Sequence, residues 1–361
     1  MSISIDTNPE LSAREAGLRY VDPSRPGISR HRAGKGFFYR DAKQERIKDK
    51  AVRERIAGLV IPPAWSDVWI CPNPSGHIQV TGYDARKRKQ YIYHERWRTY
   101  RDETKFYRLI HFAEALPGIR QEIDRQLRRK GLPREKIVAA VVSLLEKTLI
   151  RVGNESYAKE NKSFGLTTLR DRHAKVHGET ITFNFRGKAG VEHAIDLEDA
   201  RLARIVKRTQ DLPGQELLQY LDDDGKHVPV TSDDVNQFLR DITGEDFSAK
   251  DFRTWAGTVL AASELSAFEP PTSVTSSNKD IVTAIDAVAK QLGNTRSICR
   301  SCYVHPEVLE AYLEKEVISV DQAIEQNPAD SPLGSLELSS YELAVLEFLK
   351  KRAKSTQTKR S

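Results

Sequence analysis

Residues 178–197 read GETITFNFRGKAGVEHAIDL, and they decide the fold because neither flank shares their rhythm. Ile181, Phe183 and Phe185 alternate with Thr182 and Asn184, the period of a strand with one buried face. The cluster Gly187, Lys188, Ala189, Gly190 supplies a turn, so the stretch predicts a β-hairpin with Lys188 at or near its tip. Everything around it has helical spacing. The chain is therefore expected to be α+β, with a hairpin set into a larger, mostly helical domain.

Upstream, 103–133 (ETKFYRLIHFAEALPGIRQEIDRQLRRKGLP) and 134–160 (REKIVAAVVSLLEKTLIRVGNESYAKE) both read as helix. Ile137, Val141, Leu144, Leu145 and Thr148 share one face of the second. Gly131 and Pro133 separate the two in the usual order for a helix end and a helix start. Downstream, SDDVNQFLRDIT, FRTWAGTVLAASEL, SNKDIVTAIDAVAKQLG and PEVLEAYLE continue the helical pattern. NPADSPLGS (327–335) has the composition of a linker into one last helix near 336–351. The end, LKKRAKSTQTKRS, has six basic residues and no acidic one, and is expected to fray.

The N-terminal part differs. Residues 1–35 are polar and rich in Arg, Pro and Gly, and are expected to be an irregular lead-in. From Gly36 to Tyr93 the signals are strand-like: GFFYRD, then DVWIC and HIQVTGYDA around the turn cluster PNPSG, then QYIY. The expected organisation is a lead-in at 1–35, a small antiparallel sheet domain at 36–97, a mostly helical domain at 98–325, and linker, helix and basic tail at 326–361.

Lys and Arg total 57 against 51 Asp and Glu, a formal +6, so the placement of charge matters more than its sum. The opening MSISIDTNPE lacks the basic start and apolar run of a signal peptide, and no stretch approaches the roughly 18 apolar residues of a membrane helix. Three cysteines without a secretion signal point to a reducing, cytoplasmic setting. The charge is concentrated in DARKRKQYIYHERWRTYR (84–101), where Lys and Arg alternate with Tyr, Trp and Gln. Such a run can be no more than a protected sheet edge. Gln and Arg can also pair with base edges while neighbouring cations neutralise phosphates.

Five polar residues share a chemical logic. Arg151 follows an apolar helix, Lys188 sits in the hairpin turn, Arg253 lies in AKDFRTWAGT, and Asn294 and Tyr303 stand in LGNTRSICRSCYVHPEV. Singly, each has a structural explanation: a helix C-terminal cation, a turn residue, a helix-side ion pair. Together they suit metal-free phosphoryl transfer on a diester. Two guanidinium forks and an amide hold non-bridging oxygens, a tyrosine is a nucleophile, and a lysine is a proton donor.

These stretches resemble the type IB DNA topoisomerases of the small poxvirus and bacterial kind. DARKRKQYIY, LIRVGNESY, FGLTTLRDRH, FRGKAG, KDFRTWAGT and LGNTRSICRSCYVHPEV occur in that family's order, across about residues 36–310. The resemblance implies the tyrosine recombinase/topoisomerase IB catalytic core behind a β-rich DNA-binding domain, closing as a clamp on duplex DNA. It implies that Tyr303 becomes joined to a DNA 3′ end, with Lys188, helped by Arg151, protonating the leaving 5′ oxygen. Arg151, Arg253 and Asn294 would stabilise the phosphorane. No cofactor, ATP or essential metal is expected, and the chain shows no phosphate-binding G-x-x-x-x-G-K-[ST] loop. Arg86, Gln90, Tyr91, Tyr93 and Tyr157 match DNA-contacting positions of the family. A monomer acting on nucleoid DNA is the implied state. Viral members carry His where this chain has Asn294, which donates a neutral hydrogen bond instead of a charge-assisted one.

Three other readings compete. Tyrosine recombinases share the core chemistry but generally show H-x-x-R, where this chain has Lys250-Asp251-Phe252-Arg253. A non-catalytic DNA-binding protein could keep the fold. Cys299 and Cys302 have zinc spacing, but with His305 they offer three crowded ligands where a structural site wants four. Burial as small hydrophobes suits the cysteines better.

Overall fold

The sheet of the N-terminal unit begins earlier than expected, because ISRHRAGKGFFYR is itself a hairpin. Strand β1 (Ile28–Ala33) pairs antiparallel with β2 (Gly36–Arg40), with Ala33 opposite Gly36 and Gly34 at a φ of 55°. The positive φ is what the short turn requires and glycine supplies without a Cβ clash. Residues 1–35 are thus not irregular throughout: they also hold helix α1 (Pro9–Glu15). The computed structural model describes residues 9–34, 36–85, 87, 89–269, 273–318 and 336–360. The chain divides into two compact units, 1–108 and 109–361.

In the first unit, helix α2 (Lys50–Gly58) is followed by β3 (Ser66–Ile70), β4 (Ile78–Tyr83) and β5 (Lys89–Tyr93). The five strands form one antiparallel sheet in the order β2-β1-β3-β4-β5. Ile28, Val68, Ile70 and Val80 from the strands bury against Ile56 of α2, with Tyr39, Ile47 and Ile92 packed around them. Arg55 of α2 ties the layers by donating to Gln79 Oε1 (2.8 Å) and the Cys71 carbonyl (2.6 Å). Sequence periodicity missed α2 because its apolar face is narrow, with Ile56 its one buried residue.

The boundary between the units falls inside helix α3 (Glu95–Leu127). The second unit continues with α4 (Arg134–Thr148), α5 (Glu155–Asn161), strands β6 (Ala174–His177), β7 (Thr180–Arg186) and β8 (Glu192–Glu198), and helix α6 (Ala200–Gln210). A small hairpin, β9 (Gln219–Leu221) with β10 (His227–Pro229), precedes α7 (Ser232–Thr243), α8 (Ala249–Ser266), α9 (Val274–Leu292), α10 (Arg296–Cys302) and α11 (Pro306–Leu313). The predicted β7–β8 hairpin is present and gains β6 as a third strand, in the order β6-β7-β8. Helix α4 is buried on nearly every side, Ile137, Val141, Leu144 and Leu145 included, as is α8 around Trp255.

The last helix, α12 (Ser340–Arg360), is longer than expected, because no Gly or Pro interrupts a run of good helix formers. It is also part of the core. Glu342, fully buried, accepts from Arg120 Nη2 (2.7 Å), Trp255 Nε1 (3.0 Å) and the Ser339 amide (2.9 Å). Arg120 also donates through Nε to Glu146 Oε1 (2.8 Å), so α3, α4, α8 and α12 share one buried charge network. Burial opposes the Arg120 charge, but its two carboxylates more than offset this and its pKa rises. The linker expected at 327–335 lies outside the described residues.

Candidate active site

Arg151, Asn294 and Tyr303 stand just past helix ends, and Arg253 stands near a helix start. Helix α4 stops at Leu149, whose φ of 56° puts it in the left-handed region, and the chain turns into Ile150 and Arg151. The next residues are clasped by Gly165–Thr167: Leu166 N donates to the Arg151 carbonyl (2.9 Å) and Thr167 N to the Val152 carbonyl (2.7 Å). Gly153 (φ 100°) and Gly165 meet there backbone to backbone. A Cβ on Gly165 would lie 2.5 Å from the Arg151 oxygen, so the clasp that aims Arg151 requires glycine.

Arg253 occupies the start of α8, whose first turn is closed by Asp251 accepting from the Ser248 amide (2.8 Å) and hydroxyl (3.0 Å). Only 3% exposed, Arg253 donates Nη1 to the Leu149 carbonyl and Nη2 to the Leu292 carbonyl (2.8 Å). These are orphan carbonyls at the ends of α4 and α9, where a cation is favoured. Burial lowers the Arg253 pKa, yet a guanidinium starts so high that it stays charged at neutral pH. Helix α9 closes on Gly293 in the left-handed region (φ 57°), which delivers Asn294 to Arg151: Nη2 of the arginine donates to Asn294 Oδ1.

Tyr303 caps α10, its amide donating to the Cys299 carbonyl (3.0 Å). The Arg253 guanidinium carbon sits 5.1 Å from the Tyr303 ring centroid. The tyrosine backbone is moored on α8. A Cβ on Gly257 would lie 2.6 Å from the Tyr303 oxygen, and Thr258 Oγ1 bonds the Tyr303 carbonyl (3.4 Å) and accepts from the His305 amide (3.1 Å). The motif RTWAGT therefore supplies both an arginine for the site and a smooth seat for the tyrosine, one helical turn later.

The structure thus brings Arg151, Arg253, Asn294 and Tyr303 together. Lys188 is exposed in a single turn of 3₁₀ helix (Lys188–Gly190), its carbonyl accepting from the Val191 amide and its side chain making no hydrogen bond or ion pair among the described residues. Two donors in the cluster are buried without an acceptor among the described residues, Arg253 Nε and Asn294 Nδ2. Neither arginine there is paired with a carboxylate among those residues, unlike Arg120, which is as buried as Arg253. Buried donors and unpaired cations facing one place favour an anion with several oxygens.

One neighbour was not anticipated. His193, the second residue of β8, stacks on Phe185 (centroids 4.9 Å apart, 12° between planes). Burial, then Arg151 and Arg253, holds its pKa down. In sequence it is one polar residue of an alternating strand, and only the pairing register reveals its place. Cys299 is fully buried, and burial raises its thiol pKa; Cys302 is half-buried. His305 is the N-cap of α11, its Nδ1 accepting from the Glu307 amide (3.2 Å). Lys250 is exposed.

Of the expected DNA contacts, Tyr91 is exposed on β5, its ring 5.9 Å from that of Tyr93. Tyr93 also packs against the small cluster Ala13, Leu18 and Trp97. Gln90 is half-buried and donates to Asp84 Oδ2 (3.1 Å). Arg86 lies outside the described residues, as does the side chain of Tyr157 on α5.

Comparison with known proteins accords with this arrangement. Residues 94–328 match the model of the eukaryotic DNA topoisomerase I catalytic core, and residues 36–84 that of the bacterial DNA topoisomerase IB N-terminal domain. DNA topoisomerase 1B of Acanthamoeba polyphaga mimivirus is 31% identical over 294 residues, 79% of this chain and 87% of the viral one. DNA topoisomerase 1B of vaccinia virus (strain Copenhagen) is 23% identical over 245 residues, 66% of this chain and 74% of its own. A match spanning most of the chain, over a helical core that gathers two arginines, an asparagine and a tyrosine, places the protein in the type IB DNA topoisomerase family.

Proposed function

We propose that the chain relaxes supercoiled duplex DNA by nicking one strand through Tyr303. The tyrosine hydroxyl gives its proton to solvent as its oxygen attacks a phosphorus, the bond to the 5′ oxygen breaks, and the 3′ phosphate stays on the enzyme. Arg151, Arg253 and Asn294 hold the non-bridging oxygens as negative charge builds. Lys188, assisted by Arg151, gives its proton to the departing oxygen. The freed strand rotates, and its 5′ hydroxyl then attacks the phosphotyrosine, restoring the phosphodiester and the tyrosine. The bond energy is kept throughout, so the cycle calls for neither nucleotide hydrolysis nor a metal. The observation that carries this reading is the pair of buried donors without an acceptor among the described residues, Arg253 Nε and Asn294 Nδ2, with the Arg253 guanidinium carbon 5.1 Å from the Tyr303 ring centroid.

One chain supplies all five residues, which supports a monomer as the working unit. Gln90, Tyr91 and Tyr93 on β5, with Arg86 and Tyr157, are assigned to duplex contact, and the nucleoid of a bacterial cytoplasm is the setting proposed. Relaxation of plasmid in EDTA without ATP tests the reading. The wild type should relax it and Tyr303→Phe should not; relaxation by the phenylalanine variant at the wild-type rate would overturn the assignment.

A further inference from the structure

The proposed mechanism asks Lys188 and the oxygen-binding cluster to meet at one phosphate, yet among the described residues the Lys188 side chain makes no hydrogen bond or ion pair with the cluster. What connects them is an imidazole. A Cβ on Gly187 would lie 2.6 Å from His193 Cδ2 and Nε2, and a Cβ on Gly293 would lie 2.5 Å from Cε1. The His193 ring therefore fills the space between the residue before Lys188 and the residue before Asn294, and it fits because both neighbours are glycine. Its face is fixed on Phe185, the residue opposite it in the β7–β8 register. The Gly187 amide donates to the Val191 carbonyl (2.7 Å), closing the turn on the same side.

We propose that His193 is the positioning residue that sets the Lys188 turn against the Gly293–Asn294 cap, so that proton donor and oxygen clamp serve the same phosphodiester. The inference rests on the reading of Lys188 as the proton donor. The clamp itself has independent supports, since Arg253 is held by the Leu149 and Leu292 carbonyls and Arg151 by Asn294. Loss of the ring should misplace the donor more than the clamp. It follows that a leaving group needing no proton should hide the defect.

The test compares single-turnover cleavage of two duplexes, one ordinary and one with sulfur as the 5′ bridging atom at the scissile phosphate. A thiolate leaves unprotonated because thiols ionise near a pH of about 8.5. His193→Ala should cleave the ordinary duplex about 10- to 100-fold more slowly than wild type, and the sulfur duplex within about threefold, as Lys188→Ala should with a larger first effect. Formation of covalent complex on the sulfur duplex also reports that the variant is folded. Equal slowing on both duplexes, or no slowing on either, overturns the role of His193 while leaving Lys188 in place if Lys188→Ala alone is rescued. If Lys188→Ala is not slowed, or is not rescued by sulfur, the reading of Lys188 falls and the inference with it.

Discussion

At the scale of single residues, two buried arginines show what separates scaffold from chemistry. Arg120 is enclosed with two carboxylates and is satisfied by the fold. Arg253 is as deeply enclosed, donates to the Leu149 and Leu292 carbonyls, has the Tyr303 side chain beside it instead of a carboxylate, and keeps Nε without a partner among the described residues. Burying a cation without a counter-ion is costly, which fits the role proposed for Arg253 on the phosphate. Asn294 belongs to the same set, its Oδ1 accepting from Arg151 while Nδ2 is left to donate. Because one donor is what the position has to supply, Asn294→His should keep cleavage activity. A loss beyond about a hundredfold, roughly 2.7 kcal/mol, in single-turnover cleavage would contradict that role. The arginines, the asparagine and the tyrosine were legible because each sits in a motif whose order along the chain carries information. His193 was not, because a histidine in an alternating strand has no signature until the strand is paired.

Among the elements, α8 does the most positioning. Its first turn sets Arg253, and one turn later Gly257 lets the Tyr303 backbone lie directly on the helix. A methyl group there would lie 2.6 Å from the Tyr303 carbonyl oxygen, so the tyrosine backbone has to move. Gly257→Ala should therefore slow cleavage by about a hundredfold, the cost of misplacing a reacting group by about 1 Å, while binding duplex DNA as wild type does. Cleavage at the wild-type rate would show that the seat does not aim the nucleophile. Helix α4 and the β7–β8 hairpin could be read directly, since their periods are strong and their turn residues unambiguous. Strand β1 and the β9–β10 hairpin could not. The first is polar between Ile28 and Ala33 and hidden in an Arg-rich stretch, and the second has three residues a side, too few to display a period.

For the molecule as a whole, two units with different cores share a sensitivity to acid. His77 and His94 in the first unit and His173 and His193 in the second all have pKa values lowered mainly by burial. Each binds its proton more readily in the unfolded chain. Stability from these groups is therefore complete above about pH 6.5, the unfolded value, and is lost as pH falls below it. Melting temperatures should drop between about pH 7.5 and about pH 5.5; an unchanged or higher value at the lower pH would count against neutral imidazoles held in the fold. The division into a sheet-rich and a helical part was visible in the change of period after Trp97. The place of α12 was not, because Glu342 gives no sign in sequence that Arg120 and Trp255 wait for it.

The central claim is that Tyr303 forms a covalent bond to the 3′ phosphate of a nicked strand. The most direct measurement is denaturant trapping on duplex DNA labelled on the 3′-phosphate side of a single nick site, followed by peptide mapping of the labelled protein. The claim predicts label on the peptide bearing Tyr303 and none on Tyr303→Phe. Label on any other residue, linkage to a 5′ end, or label on the phenylalanine variant would contradict it.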